Sequence, residues 1–266
     1  MSTIYHFSGA GNDFVVIDGR EGDVSEYREV PRIEALCKEH KTDGLMILGS
    51  GDAEVDFTME FYNPDGSGGM MCGNGGRCIV AFADYLGIRP AAGDVFLFRA
   101  PDGLHTGEIL ARPEDNLWEV RIKMIDVQGI TPMLGGYFLN TGTRHFVKFV
   151  DDVEQVDIDT EGRALRWNEA FAPVGTNVNF VHVAPDGLHV RTFEKGVEGE
   201  TLACGTGLTA CALVAHHAGV PTATPGAYRL RARQDWLSVI FTPEADEKFT
   251  DVYLTGPARL VRIYAV

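Results

Sequence analysis

Two apolar, Ala-rich runs stand out along the chain. Ile79-Val80-Ala81-Phe82-Ala83-Asp84-Tyr85-Leu86 ends at Gly87, and Leu208-Thr209-Ala210-Cys211-Ala212-Leu213-Val214-Ala215-His216-His217 ends before Gly219. Each is preceded by a Gly-rich turn that carries a cysteine: Met71-Cys72-Gly73-Asn74-Gly75-Gly76-Arg77-Cys78 in one case, Ala203-Cys204-Gly205-Thr206-Gly207 in the other. The order of turn, apolar run and glycine reads as helix start, helix and helix stop. A third, weaker helix is predicted from Val30 to His40, with Pro31 in its first turn. The remaining pattern is strand-like. Asn12–Asp18 and Leu45–Gly49 are short apolar runs closed by turns, and Trp118–Met124 alternates apolar and polar positions as a half-buried strand does. Phe96–Arg99 leads into the hairpin signal Pro101-Asp102-Gly103, and Asn179–Val183 and Leu188–Phe193 flank a second one, Pro185-Asp186-Gly187. Val252–Gly256 and Val261–Tyr264 read as closing strands. A helix enclosed by mostly antiparallel strands is the expected unit, which places the chain in the α+β class.

The pattern occurs twice. Cys72 and Cys204 stand 132 positions apart (72 and 204), and the same shift lays Phe14-Val15 on Phe146-Val147, Phe57–Phe61 on His189–Phe193, and Gly87 on Gly219. Coincidence in a Gly-rich sequence is a poor account of so many agreements at one offset. An internal duplication with two pseudo-symmetric halves is the better one. The halves are expected at residues 1–128 and 129–256, the repeat restarting near Gln128-Gly129-Ile130-Thr131-Pro132.

Composition narrows the function classes. The chain has 266 residues, is 45% hydrophobic and carries a formal net charge of −15. That apolar content fills real cores, and the acidity is a poor match to a phosphate backbone or an anionic membrane surface. Neither nucleic acid nor membrane is an expected partner, since no apolar run approaches the roughly 18 residues of a bilayer span. The N-terminus lacks a basic segment followed by an apolar core, so no signal peptide is expected. Five cysteines, an odd number, argue against a secreted disulfide framework and fit a reducing cytoplasm.

A cysteine at a helix start has a definite chemistry. The helix N-terminus exposes backbone N–H groups and a partial positive charge, which holds a carboxylate and favours a thiolate. Two such sites acting on one small acid could remove a proton from one face of a carbon and return one to the other, inverting the centre without a cofactor. Cys37, Cys78 and Cys211 read instead as buried apolar cysteines. A zinc site is disfavoured because Cys72-x5-Cys78 and Cys204-x6-Cys211 are not the usual short hooks, so no metal is expected. A Cys72–Cys204 disulfide would be an oxidation product rather than a staple. There is no dinucleotide fingerprint and no P-loop. Taken alone, Asn12, Asn63 and Asn177 read as turn residues, Glu194 as a solvated loop carboxylate, His145 as a structural hydrogen-bonder and His216-His217 as cations at a helix C-terminus.

Several stretches together resemble the diaminopimelate epimerase family over essentially the whole chain: Ser8–Phe14, Asn63–Ser67, Met71–Arg77, Gly175–Phe180, Glu194–Glu198 with Glu200–Gly207, and Leu254–Ala258. The resemblance implies two similar halves, each a mostly antiparallel sheet or barrel around a central helix. It places the active site in the cleft between them, with residues 257–266 returning to the first half. It implies a cofactor-independent isomerase that interconverts L,L- and meso-diaminopimelate on the route to lysine and peptidoglycan, and it implies a homodimer, for which the sequence has no interface signature of its own. Carried over by position, Cys72 and Cys204 are the acid/base thiols, Cys204 removing the proton of the L,L substrate and Cys72 donating one. Gly73, Asn74, Gly205 and Thr206 hold the reacting carboxylate through their backbone, and Glu194 accepts from the α-ammonium. Asn12, Asn63, Asn177 and Lys195 contact the substrate, mostly its distal end, and His145 orients the site.

Two departures bear on specificity. Lys195 stands where the family has Arg, and Thr143-Arg144 where it has Asn-Pro. Lys does not replace Arg in bidentate carboxylate binding, and Arg144 is a candidate to supply the missing guanidinium. The competing readings are a two-thiol racemase of proline or hydroxyproline, whose members tend to have His where Asn74 stands, an isomerase of this fold with a carboxylate base, a pyridoxal-phosphate racemase, a non-catalytic amino-acid-binding protein, and a thiol-redox protein. The paired cysteines disfavour the carboxylate enzyme. The pyridoxal enzyme lacks a lysine in a recognisable cofactor motif, and the redox protein lacks a Cys-x-x-Cys.

Overall fold

The computed structural model describes residues 3–69 and 71–264. It falls into two compact units, Met1–Ile122 with Gly256–Val266, and Lys123–Thr255. The first contains β1 (Ile4–Gly9), β2 (Asn12–Asp18), α1 (Val30–His40), β3 (Gly44–Ser50), β4 (Phe57–Tyr62), α2 (Gly73–Tyr85), β5 (Val95–Ala100), β6 (Gly103–Glu114) and β7 (Leu117–Lys123). The chain continues through β8 (Val127–Gln128), β9 (Thr131–Met133), β10 (Gly136–Asn140), β11 (Arg144–Phe149), the short α3 (Arg163–Arg166), β12 (Asn177–Ala184), β13 (Gly187–Glu194), β14 (Gly199–Thr201), α4 (Gly205–His217), β15 (Ala227–Arg231), β16 (Trp236–Pro243) and β17 (Lys248–Tyr264).

In the first unit β1 through β7 pair in order, and the later part of β17 bonds to both β7 and β1, closing a ring. The pairs β2–β3 and β4–β5 are parallel and the rest antiparallel. A parallel pair needs a crossover of a dozen or more residues, and the two crossovers carry α1 and α2. α1 covers the outer face: Ile33, Leu36 and Cys37 pack on Val15, Ile17, Leu45 and Ile47. α2 occupies the inside. All of its residues from Gly73 to Asp84 are buried, as expected of a helix surrounded on every side. Phe82 lies 4.8 and 5.6 Å, ring to ring, from Tyr5 and Phe7. At Gly107 of β6 a Cβ would stand 2.6 Å from Val80, so this strand approaches the helix only as glycine.

The second unit repeats the plan. β10 to β13, β15, β16 and the start of β17 pair in a row that is parallel at β11–β12 and β13–β15, and β14 adds to β13. β9 pairs with β10 at one end of the row and β8 with β17 at the other. Only Gly129 and Ile130 separate β8 from β9, so this short stretch joins the two ends. α4 sits inside, buried from Gly205 to Ala215 except at Thr206. The outer face of β11–β13, with Phe146, Val178, Phe180 and Phe193, is covered by Val153, Ile158 and Phe171.

The helices α2 and α4 differ in position by 132 at both ends, so the duplication read from the sequence holds in the α+β fold. Two features refine it. Residues 127–132 fall on 259–264 at the same shift. The last strand of each repeat therefore completes the ring of the other, which is why the chain enters the second unit at Lys123, ahead of the restart at Gln128-Gly129. The shift also slips by one within the strands. Val15 faces the outer cover in the first unit, whereas in the second Phe146 does so and His145 turns inward. The inner face near α2 is accordingly apolar, with Met46 and Met59 against Gly75, while that near α4 presents His145 and Asn179 to Gly207.

Candidate active site

Cys72 is the N-cap of α2. Its backbone is extended (φ −100°, ψ 151°), its side chain is exposed, and its Sγ accepts a hydrogen bond from the N–H of Gly75 at 3.2 Å. An N–H aimed at sulfur at a helix start favours the anionic form. The first-turn N–H groups of Gly73 and Asn74 point along the helix axis out of the same end. Asn74 and Asn12 are brought together there. Asn74 Nδ2 donates to Asn12 Oδ1 at 2.5 Å, Asn12 Nδ2 donates to Asp43 at 3.2 Å, and Arg77 Nη2 donates to Asn74 Oδ1 at 2.9 Å. Arg77 is fully buried and also donates to the carbonyls of Gly73, Gly9 and Pro257. One guanidinium thus fixes the helix start and the amides beside Cys72. Asn63 keeps to its own turn, where its Nδ2 donates to Ser67 Oγ at 3.0 Å and its carbonyl accepts from Gly66.

Cys204 is the N-cap of α4 and is 9% exposed. Its Sγ lies 3.5 Å from Thr206 Oγ1. That hydroxyl belongs to a polar cluster absent from the sequence reading. His145 Nε2 is 2.9 Å from both Thr143 Oγ1 and Thr206 Oγ1, and the two hydroxyls are 3.1 Å apart. On its other side His145 Nδ1 is 3.1 Å from Asn179 Nδ2. Burial pushes the His145 imidazole down to about 3, so it is neutral at any physiological pH and serves as a hydrogen-bonding group, not an acid. Asn177 ties two segments together: Lys195 N–H donates to its Oδ1 at 2.8 Å, and its Nδ2 donates to the carbonyl of Arg144 at 3.0 Å and to Thr143 Oγ1 at 3.4 Å. Glu194, at the end of β13, accepts from Thr201 Oγ1 at 2.8 Å. Gly205 and Thr206 supply the first-turn N–H groups of this helix.

Of the candidate residues, the first unit gathers Asn12, Cys72, Gly73 and Asn74. The second gathers His145, Asn177, Cys204, Gly205 and Thr206, with Glu194 and Lys195 joined through β13. Arg144 does not fill the role read for it. Strand alternation sends its side chain to the outer layer, where the guanidinium lies 5.1 Å from the Phe138 ring and donates to the Phe171 carbonyl. Sequence reasoning also passed over Arg77, Asn179 and Thr192. For Arg77 the signal existed, a charged side chain at the head of an apolar helical run; Asn179 and Thr192 lie in strands that carry several other polar residues, and nothing set them apart. Burial raises the thiols of Cys37, Cys78 and Cys211, which suits the apolar role read for them. Among the described residues no group of His, Cys, Asp or Glu could hold a metal ion, and no helix is long and apolar enough to cross a membrane.

Solved structures share this fold. A PhzF-family phenazine biosynthesis protein from Bacillus anthracis aligns with TM-score 0.75 at 12% identity, covering 100% of this chain and 98% of that one. A probable proline racemase from Agrobacterium radiobacter aligns with TM-score 0.68 at 13% identity, covering 100% and 93%. This chain shares the fold of these two proteins. Sequence goes further. The family model described as diaminopimelate epimerase matches residues 4–100 and 137–261. The diaminopimelate epimerase of Chlorobaculum tepidum is 40% identical over 96% of this chain and 97% of its own length, and that of Aquifex aeolicus is 38% identical over 95% and 93%. The chain belongs to the diaminopimelate epimerase family.

Proposed function

We propose that this protein interconverts L,L- and meso-diaminopimelate with two thiols that act on opposite faces of the α-carbon, one removing a proton and the other supplying one, without a cofactor. The observation that carries the reading is a cysteine capping a buried helix in both halves of a chain that belongs to this family along nearly its whole length. Cys204, as thiolate, takes the α-proton of the L,L substrate, and Cys72 delivers a proton to the opposite face. In the reverse direction they exchange roles. The α-proton of an amino acid is weakly acidic, so charge developing toward the carboxylate must be held as it forms. The first-turn N–H groups of Gly73, Asn74, Gly205 and Thr206 are the donors assigned to it, each such donor contributing on the order of 10²–10³ in rate. Glu194 accepts from the α-ammonium. Asn12, Asn63, Asn177 and Lys195 bind the remainder of the substrate, and neutral His145 orients the Cys204 side. The enzyme is assigned to the cytoplasm, where Cys37, Cys78 and Cys211 stay reduced, and to a homodimer, which light scattering after gel filtration tests.

Purified protein, reduced and without added cofactor, is expected to convert L,L-diaminopimelate to an equilibrium mixture with the meso form, read by chiral chromatography. The replacement of Arg by Lys195 and of Asn-Pro by Thr143-Arg144 favours a second reading, a two-thiol racemase of altered specificity. α-Proton exchange in another amino acid, with none in diaminopimelate, would select it. Binding without any exchange would overturn both.

A further inference from the structure

We infer that Asn179 sets the tautomer of His145 and, through it, aims the Thr206 hydroxyl at the Cys204 sulfur. The inference rests on Cys204 being a working base, and it adds residues that hold it ready. Asn179 is fully buried. Its Nδ2 lies 3.1 Å from the Phe146 carbonyl, which can only accept, and its Oδ1 accepts from Thr192 Oγ1 at 2.9 Å. The amide therefore has one orientation, with N–H toward His145 Nδ1. A neutral imidazole facing a donor at Nδ1 must accept there and carry its proton on Nε2.

The Nε2–H then points at Thr206 Oγ1 and Thr143 Oγ1, each 2.9 Å away. Thr143 Oγ1 also receives Asn177 Nδ2, and its own proton reaches Thr206 Oγ1 at 3.1 Å. The lone pairs of the Thr206 oxygen are thus approached by two donors. Its own hydrogen is thereby left to face Cys204 Sγ, an acceptor 3.5 Å away. A hydroxyl donor on sulfur stabilises the thiolate over the thiol. Thr143, a departure from the family pattern at a recognition position, has a part in this network. Asn179, Thr192 and His145 act on sulfur only through Thr206 and are positioning residues.

The experiment reads the tautomer and the sulfur separately, and neither reading needs substrate. In protein labelled with ¹⁵N-histidine, the His145 resonances, assigned by their loss in His145→Gln, report which nitrogen carries the proton. Wild type is expected to carry it on Nε2, and Asn179→Asp, which turns a donor into an acceptor, on Nδ1. The rate of Cys204 alkylation by iodoacetamide against pH, followed by peptide mass spectrometry, reports the sulfur. Asn179→Asp and Thr206→Val are each expected to slow it about tenfold at pH 7, with Cys72 unaffected and Thr206→Ser close to wild type. If Asn179→Asp does not fold, the wild-type tautomer and the Thr206→Val profile decide. A wild-type proton on Nδ1, or an unchanged Cys204 profile in Thr206→Val, overturns the inference. Either result leaves the epimerase reading to its own test.

Discussion

Gly207, one turn into α4, has no room for a side chain. A Cβ built there would lie 2.5 Å from Asn179 Oδ1 and 3.3 Å from both His145 Cε1 and Cys204 Cβ. Asn179 cannot yield cheaply, because Thr192 and the Phe146 carbonyl hold its amide at both ends. Ordinary contact begins near 3.4 Å, so Gly207→Ala requires a displacement of about 0.9 Å, shared between the helix start and the Asn179–His145 pair. Overpacking of this size costs about 1–3 kcal/mol of stability. A misplacement of about 1 Å at a catalytic group costs on the order of 10² in rate. Gly207→Ala is therefore expected to lower kcat/KM about a hundredfold while remaining folded, with the denaturant midpoint lowered and its slope unchanged. Gly75→Ala is the comparison. Its Cβ would meet Cys72 Sγ at 3.3 Å and the flexible Met46 at 3.4 Å, so its loss should be within about tenfold, corresponding to a shift of a few tenths of an ångström. Exchange of the substrate α-proton and urea unfolding measure the two quantities. Wild-type turnover in Gly207→Ala would refute the account of how the second helix start is held.

Arg77→Met removes the guanidinium that joins Asn74, Gly73, Gly9 and Pro257. It is expected to cost about 3 kcal/mol in urea unfolding, a loss near zero refuting its bracing role. Native protein treated with iodoacetamide should be labelled at Cys72, while Cys37, Cys78 and Cys211 react only after unfolding. Peptide mapping that finds Cys78 or Cys211 modified in the folded state would contradict their burial. Asp84 lies near the C-terminal end of α2, where burial would raise its carboxyl, but Arg112, the Trp118 indole N–H and Arg89 outweigh this and hold it below its ordinary value. A lowered folded-state value means stability present above the unfolded value of about 3.9 and lost as pH falls through the folded one. Asp84→Asn should then cost about 1–3 kcal/mol at pH 7, and the difference should shrink as pH falls below about 4. A difference independent of pH would refute the assignment.

The two helix starts were legible in sequence because each requirement leaves a residue behind: glycines for close backbone approach, a cysteine at the cap, a glycine stop. α1 was legible from Pro31 in its first turn and spans Val30–His40 as expected. The exchange of closing strands was not. β8 is two residues long and β9 three, with a proline among them, too short for a period to register. Facing was also hidden. A shift of 132 aligns both repeats, yet a one-residue slip in a strand reverses which side chains look inward. That slip turns His145 toward the helix and Arg144 away from it, so the guanidinium expected at the site lies against Phe138 instead. Asn179 sat in plain view within Gly175–Phe180, but its role depends on partners 33 and 34 residues distant. Only the fold brings them together.

In the proposed reaction one thiol takes the α-proton and the other delivers a proton to the opposite face. Solvent deuterium incorporation at the α-carbon of L,L-diaminopimelate, followed together with formation of the meso form, tests it in wild type, Cys72→Ala and Cys204→Ala under reducing conditions. Exchange with conversion is expected in wild type, and loss of conversion in both variants. Conversion that persists in either variant would contradict this reaction.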